Sequence, residues 1–286
     1  MNRLSARRSP RVYASVFGVA GVAAVMAAAT GAVAATATPA SRAGSKPTVV
    51  LIHGAFSESA GWHGAVKRSQ HEGRPVVTPA NPLRGLTGDT HPAGAPTSVK
   101  GPGALAGYPY GGSVIAQATA HKKNARALVH IAAFCPGKSE STTELAGKFP
   151  GHALGPALNK APFALENSKA GTGPSTGAGT FDDRSAADTP RRATALTAAT
   201  QRPVAAPALD QKAAATSWKH IPSWNLITLD DTNIPAAAQR FTARQAHSHT
   251  VEIKTSHPVT VTHPVAVSHS DTASRLVERS SYATVR

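Results

Sequence analysis

The chain has 286 residues, with 30 Lys and Arg against 15 Asp and Glu, for a formal charge of +15. Hydrophobic residues make up 41% and aromatics 5%, enough apolar material for a folded core and too much for wholesale disorder. A single cysteine, Cys135, excludes an intrachain disulfide framework and a Cys-rich zinc pattern, and the basic residues are too scattered to form a nucleic-acid-binding stripe, so no nucleic-acid partner is expected.

The amino terminus reads as an address. Arg3, Arg7, Arg8 and Arg11 stand without an acid, no charge occurs from Val12 to Ala35, and small residues gather from Ala32 to Ala37. A basic start, an apolar run and a small-residue exit predict a secretory signal over 1–35, a linker over 36–45 and a domain over 46–281. Arg7-Arg8 gives only a poor match to a twin-arginine signal. The run is long enough to span a bilayer but is built of Ala and Gly rather than Leu and Ile. Cleavage is therefore expected, giving a secreted or extracytoplasmic chain with no stable membrane span.

Thr48–Ile52 is β-branched and continuously apolar, as in a buried strand. Ser57–His71 is expected to be helical, with Trp62 and Val66 on one face and Gly73 as the stop. Pro75–Thr78 reads as a second strand. After Arg84 a helix is expected to fail at Pro92 and Pro96, and Pro102-Gly103 weakens the start of the apolar segment Ala104–Ala106. Ser113–His121 is a helical stretch closed by Lys122 and Lys123. Ala127–Ala132, Trp224–Leu229 and Thr250–Ile253 read as strands. Pro235 opens a helix running through Ala246, and Thr272–Ser280 is a last amphipathic helix. Between Cys135 and Ser217 no strand is expected: Gly171–Gly179 reads as a loop and Arg191–Thr200 as a helix. Alternating strands and helices predict an α/β fold, a mostly parallel sheet with helices on both faces, and an insertion over about 136–217.

Two patterns carry chemistry. His53-Gly54-Ala55-Phe56 follows the first strand, and Gly107-Tyr108-Pro109-Tyr110-Gly111-Gly112 joins Ala104–Ala106 to a helix. Together with Trp62, Pro75–Gly85, Asp230–Pro235 and Ser256-His257-Pro258, they resemble the α/β-hydrolase family from Lys46 to Val277. The likeness is to the small esterase-like branch that includes methylesterases and hydroxynitrile lyases. The resemblance implies a nucleophile elbow at the second pattern, an orienting acid at Asp231, a general base at His257, and oxyanion-hole positions at Ala55, Phe56 and Tyr110. It implies hydrolysis of a small ester or amide without cofactor or metal.

The chain departs from the family at the elbow. Pro109 stands where the resemblance places the nucleophile, and Tyr108 where the family usually has histidine. Proline has no hydroxyl, and its fixed φ near −65° opposes the strained conformation of an elbow residue. An impaired enzyme is therefore expected, or a non-catalytic relative binding a small molecule or a partner. Ser113, one helical turn on, is expected to be buried, and Cys135 to be an inert core thiol. His257, His263 and His269 recur every six residues and would share a face if extended, though roughly 20 Å apart and too far for one metal ion. His247-x-His249 is a possible chelating pair, with a surface cluster the simpler reading.

Overall fold

The structure, a computed structural model, describes residues 46–90, 101–151, 158–164, 170–176 and 188–270. The leader 1–35, the linker 36–45, Pro92, Pro96 and the expected helix Thr272–Ser280 lie outside the described residues. In chain order the strands are β1 (Thr48–Ile52), β2 (Val76–Val77), β3 (Gly103–Gly107), β4 (Ala125–Ile131), β5 (Leu158–Ala164), β6 (Ala170–Thr176), β7 (Ser223–Thr228) and β8 (His249–Ile253). Six of them form one sheet in the order β2-β1-β3-β4-β7-β8, every neighbouring pair parallel.

Alternation along the strands divides the core in two. Val50, Ile52, Leu105 and Leu128 pack with Val114 and Ile115 of the helix Gly111–Ala118 and with Val204, Ala205 and Trp218. Val49, Leu51, Ala104, Ala106 and Val129 face the other way, onto Trp62, Ala65, Val259 and Val267. Both faces of the sheet are thus covered, which is why its central strands are apolar at successive positions rather than at alternate ones. β8 closes one flank of the sheet, and His249, Thr250, Val251 and Glu252 on it are exposed.

The helix expected from Ser57 starts as a 3₁₀ turn, Ser59–Trp62, and becomes α-helical over His63–His71, with Gly73 at φ 67° just beyond its end. Arg191–Ala199 and Ala236–Gln245 are helical as expected, the second with Pro235 at its cap.

Two expectations are corrected. β3 is a complete five-residue strand, buried throughout. Pro102 lies just outside it, its carbonyl accepts the Thr48 N–H at 3.0 Å, and the only disturbance is a register irregularity between Gly103 and Ala104. The stretch between Cys135 and Ser217 does contain strands: β5 and β6 pair antiparallel, and β6 runs through residues read as a loop. Pro162 and Pro174 are tolerated there because both strands of a two-stranded ribbon are edges. The segment that carries the histidine repeat forms two short helices, Val259–Thr262 and Pro264–Ser270, each opened by a proline.

Candidate active site

Parallel strands bring their carboxyl ends to one edge of the sheet, and there β1, β3, β7 and β8 each deliver one predicted site segment. The elbow turns directly from β3 into the helix Gly111–Ala118. Its glycines are obligatory on packing grounds. A Cβ at Gly107 would enter the backbone of Gly111, one at Gly111 would meet the Ile52 carbonyl, and one at Gly112 would sit 2.6 Å from the Phe134 carbonyl. Gly54 abuts the turn itself, so that a Cβ there would lie 2.7 Å from the Pro109 nitrogen. Among the described residues, left-handed backbone at non-glycine positions falls at Phe56, Leu83, Ala132, Ser139 and His247, and none falls in the elbow. With proline at its apex the bend is an ordinary turn, in which the Gly112 N–H donates to the Pro109 carbonyl at 3.2 Å.

Asp231 and His257 meet. His257 Nδ1 lies 2.7 Å from Asp231 Oδ2, and both residues are buried. A carboxylate accepts, so Nδ1 carries a proton toward Asp231 and Nε2 is the ring nitrogen left outside this bond. The carboxylate is further fixed by the N–H groups of Asn233 and Ile234, each at 2.9 Å, by Thr228 Oγ1 at 2.8 Å and by Gln239 Nε2 at 3.1 Å. Tyr108 packs its ring on the imidazole, centroids 5.0 Å apart, and its hydroxyl donates to the His257 carbonyl at 3.2 Å. Burial and the nearby Asp231 charge push the Tyr108 phenol up, so it stays a neutral donor. Trp62 meets Tyr108 edge to face at 6.3 Å.

Ala55, Phe56 and Tyr110 are buried, Phe56 at φ 57°. Among the described residues, the backbone N–H groups of these three donate to no protein acceptor. Tyr110 is anchored instead through its side chain, whose hydroxyl donates to Asp89 Oδ2 at 2.8 Å. His53, one residue before Gly54, accepts the Asn81 N–H at its Nε2 (2.9 Å), and Asn81 Nδ2 donates back to the His53 carbonyl at 2.9 Å. This reciprocal pair is what the Pro75–Gly85 segment contributes.

His53 and His130 are both held neutral. Burial lowers His53 from 6.5 to about 4, with the Arg202 charge adding to it and the Gly54 carbonyl opposing it, and burial lowers His130 to about 4 as well. Above pH 6.5 neither is charged in either state and stability is unaffected. As pH falls below 6.5 the unfolded chain takes up protons that the folded one refuses, and the loss is complete near pH 4. Each histidine then removes on the order of 3 kcal/mol. Asp89, whose carboxyl is pushed up by burial, works in the opposite sense. The expected result is a urea midpoint that falls steadily between pH 6.5 and pH 4, measured by far-UV circular dichroism. A midpoint constant across that window would show that the two imidazoles are not buried as described.

Ser113 and Cys135 lie in the core. Ser113 Oγ is 3.2 Å from Thr142 Oγ1, and burial pushes the Cys135 thiol up, with its sulfur 3.5 Å from His130 Nε2. Among the described residues no group of three or more His, Cys, Asp or Glu is arranged to hold a metal ion. His249 stacks on Trp224, and His263 Nδ1 lies 3.1 Å from Thr255 Oγ1. The sequence reading missed Gln239, which braces the acid, and Asp188, which binds Thr255 and Ser256. Gln239 could have been found, since a helix opened by Pro235 places it one turn in and back toward Asp231. Nothing in the sequence around Asp188 points to its partners.

A family model described as "Alpha/beta hydrolase family" matches residues 49–269. Among solved structures the chain is similar to polyneuridine aldehyde esterase, with 14% identity, a TM-score of 0.65, and 82% of this chain and 99% of that one covered. It is similar to tomato methylketone synthase I complexed with 2-tridecanone, with 16% identity, a TM-score of 0.62, and 83% and 98% covered. An extracellular alpha/beta-hydrolase from a Paenibacillus species gives 19% identity, a TM-score of 0.55, and 81% and 96% covered. No curated protein matches. At these identities the likeness to solved structures is one of fold.

Proposed function

The chain belongs to the alpha/beta hydrolase family, and from that premise we propose that it carries an esterase-type triad site from which the nucleophile is missing. In this reading Asp231 is the orienting acid, His257 the general base, and the amides of Ala55, Phe56 and Tyr110 the oxyanion-hole donors. Pro109 occupies the nucleophile position. The observation that supports it most is the 2.7 Å Asp231–His257 contact at the edge of the sheet where the glycine-bracketed turn also emerges.

The ancestral reaction is hydrolysis of a small ester or amide. A serine hydroxyl would attack the carbonyl, His257 Nε2 would take its proton, and the tetrahedral oxyanion would accept from the free amides. The His257 imidazolium would then protonate the leaving group, and water would repeat the sequence on the acyl-enzyme. Pro109 supplies no hydroxyl, so the first step is denied while the base, its orienting acid and the anion-binding amides stand ready. A second reading, a non-catalytic binder of a small molecule, is favoured by the relaxed backbone of the elbow. A fluorophosphonate probe tests the proposal. The chain as it stands is expected to remain unlabelled, and labelling at a residue other than 109 would overturn the assignment of the nucleophile position.

Export belongs to the same proposal. The protein is expected to leave the cytoplasm and lose its leader near Ala35, as amino-terminal sequencing of the product from culture supernatant or periplasm would read; an intact Met1 terminus on a cytoplasmic product would refute it. Among the described residues no helix is long and apolar enough to cross a membrane.

A further inference from the structure

We propose that Asp188 is a positioning residue for His257, tying the segment between β4 and β7 to the loop that carries the imidazole. The role rests on the reading of His257 as the base. Asp188 lies just ahead of the helix Arg191–Ala199, far from the site in sequence. Its carboxylate accepts from Thr255 Oγ1 at 2.6 Å, from the Ser256 N–H at 2.9 Å and from the Ser256 hydroxyl. All three donors lie in the two residues immediately before His257.

Those donors need an acceptor. Ser256 is buried, so its amide or hydroxyl left unpaired would carry its full desolvation cost, while the buried Thr255 hydroxyl has His263 Nδ1 at 3.1 Å as a second neighbour. A carboxylate answers all three at once with charge-assisted bonds, about twice as strong as neutral ones. Burial raises the Asp188 carboxyl, but the bonds from Ser256 and Thr255 outweigh it and hold the group below its usual range. The same loop is registered against the acid, because the Thr255 carbonyl accepts the Asp230 N–H at 3.1 Å. Downstream, the His257 carbonyl is held by the Tyr108 hydroxyl at 3.2 Å and by the Val259 N–H at 2.7 Å. Asp188 supplies the upstream restraint, and so it sets how squarely Nδ1 faces Asp231.

The test is spectroscopic and needs no turnover. In the ¹⁵N-labelled protein the His257 Nδ1 proton, bonded to Asp231, is expected as a downfield resonance protected from exchange. Asp188→Ala is expected to move that resonance upfield and speed its exchange with water, and Asp188→Asn, which keeps the shape and one accepting oxygen, to fall between. An unchanged resonance and exchange rate in a folded Asp188→Ala protein would overturn the proposal. Should Asp188→Ala fail to fold, Ser256→Ala removes one donor and is expected to shift the resonance less, in the same direction; no shift there would equally overturn it. In a Pro109→Ser background, Asp188→Ala is expected to lower kcat about 10-fold to 100-fold with little change in KM. Failure of Pro109→Ser to hydrolyse esters would sink the hydrolase reading and leave the resonance result standing on its own.

Discussion

Pro109→Ser is expected to convert a chain unreactive toward fluorophosphonates into one that labels at a single residue, and to raise ester hydrolysis by about 10³-fold. The expectation follows from what is already in place. The 2.7 Å bond to Asp231 turns His257 Nε2 away from the acid, and the elbow glycines already hold β1, β3 and the following helix as close as an elbow requires. Removing the pyrrolidine ring lets residue 109 leave the φ that proline imposes. Adopting the elbow conformation costs about 1–3 kcal/mol of backbone strain, so the variant is expected to melt lower than the parent while being more active. Adding His257→Ala should return hydrolysis to the parental level. A folded Pro109→Ser protein that neither labels nor hydrolyses would show that residue 109 does not face the imidazole.

Asp231→Ala is expected to be the most damaging single change to stability. It strands the Nδ1 proton of His257, the Thr228 hydroxyl and two backbone N–H groups in a buried site. Leaving several buried donors unanswered costs about 3–5 kcal/mol, which at this size lowers the melting temperature by roughly 10 °C. Its neighbour is the control. Asp230 is exposed, and Asp230→Ala is expected to change stability by less than about 0.5 kcal/mol. Differential scanning calorimetry on the two variants decides the matter; equal losses would mean that the Asp231 network is not the brace described.

The sheet was legible because its strands are short β-branched or apolar runs set between turn residues, and Thr48–Ile52 reads the same in sequence and structure. Asp231 and His257 were legible only together, by order and spacing after two strands, since either alone is an ordinary loop residue. The hairpin β5–β6 was not legible, because Gly171, Gly173 and Pro174 carry no strand preference and the pairing itself holds them extended. The strand after Pro102 was misjudged by weighing a proline that lies outside the ladder. Asp188 was invisible because its partners lie 67 and 68 residues away and nothing local marks them.

β8 leaves a row of main-chain donors and acceptors facing solvent on one side, with Val251 half-exposed among them. Such a margin is a template on which another chain could add a strand. Glu252 sits in this row, clamped by Arg240 Nε and Nη2 at 2.7 and 2.6 Å, and Lys254 comes two residues later. An approaching backbone would have to strip water from that ion pair and meet a second charge two residues on, a pattern that disfavours pairing along this margin.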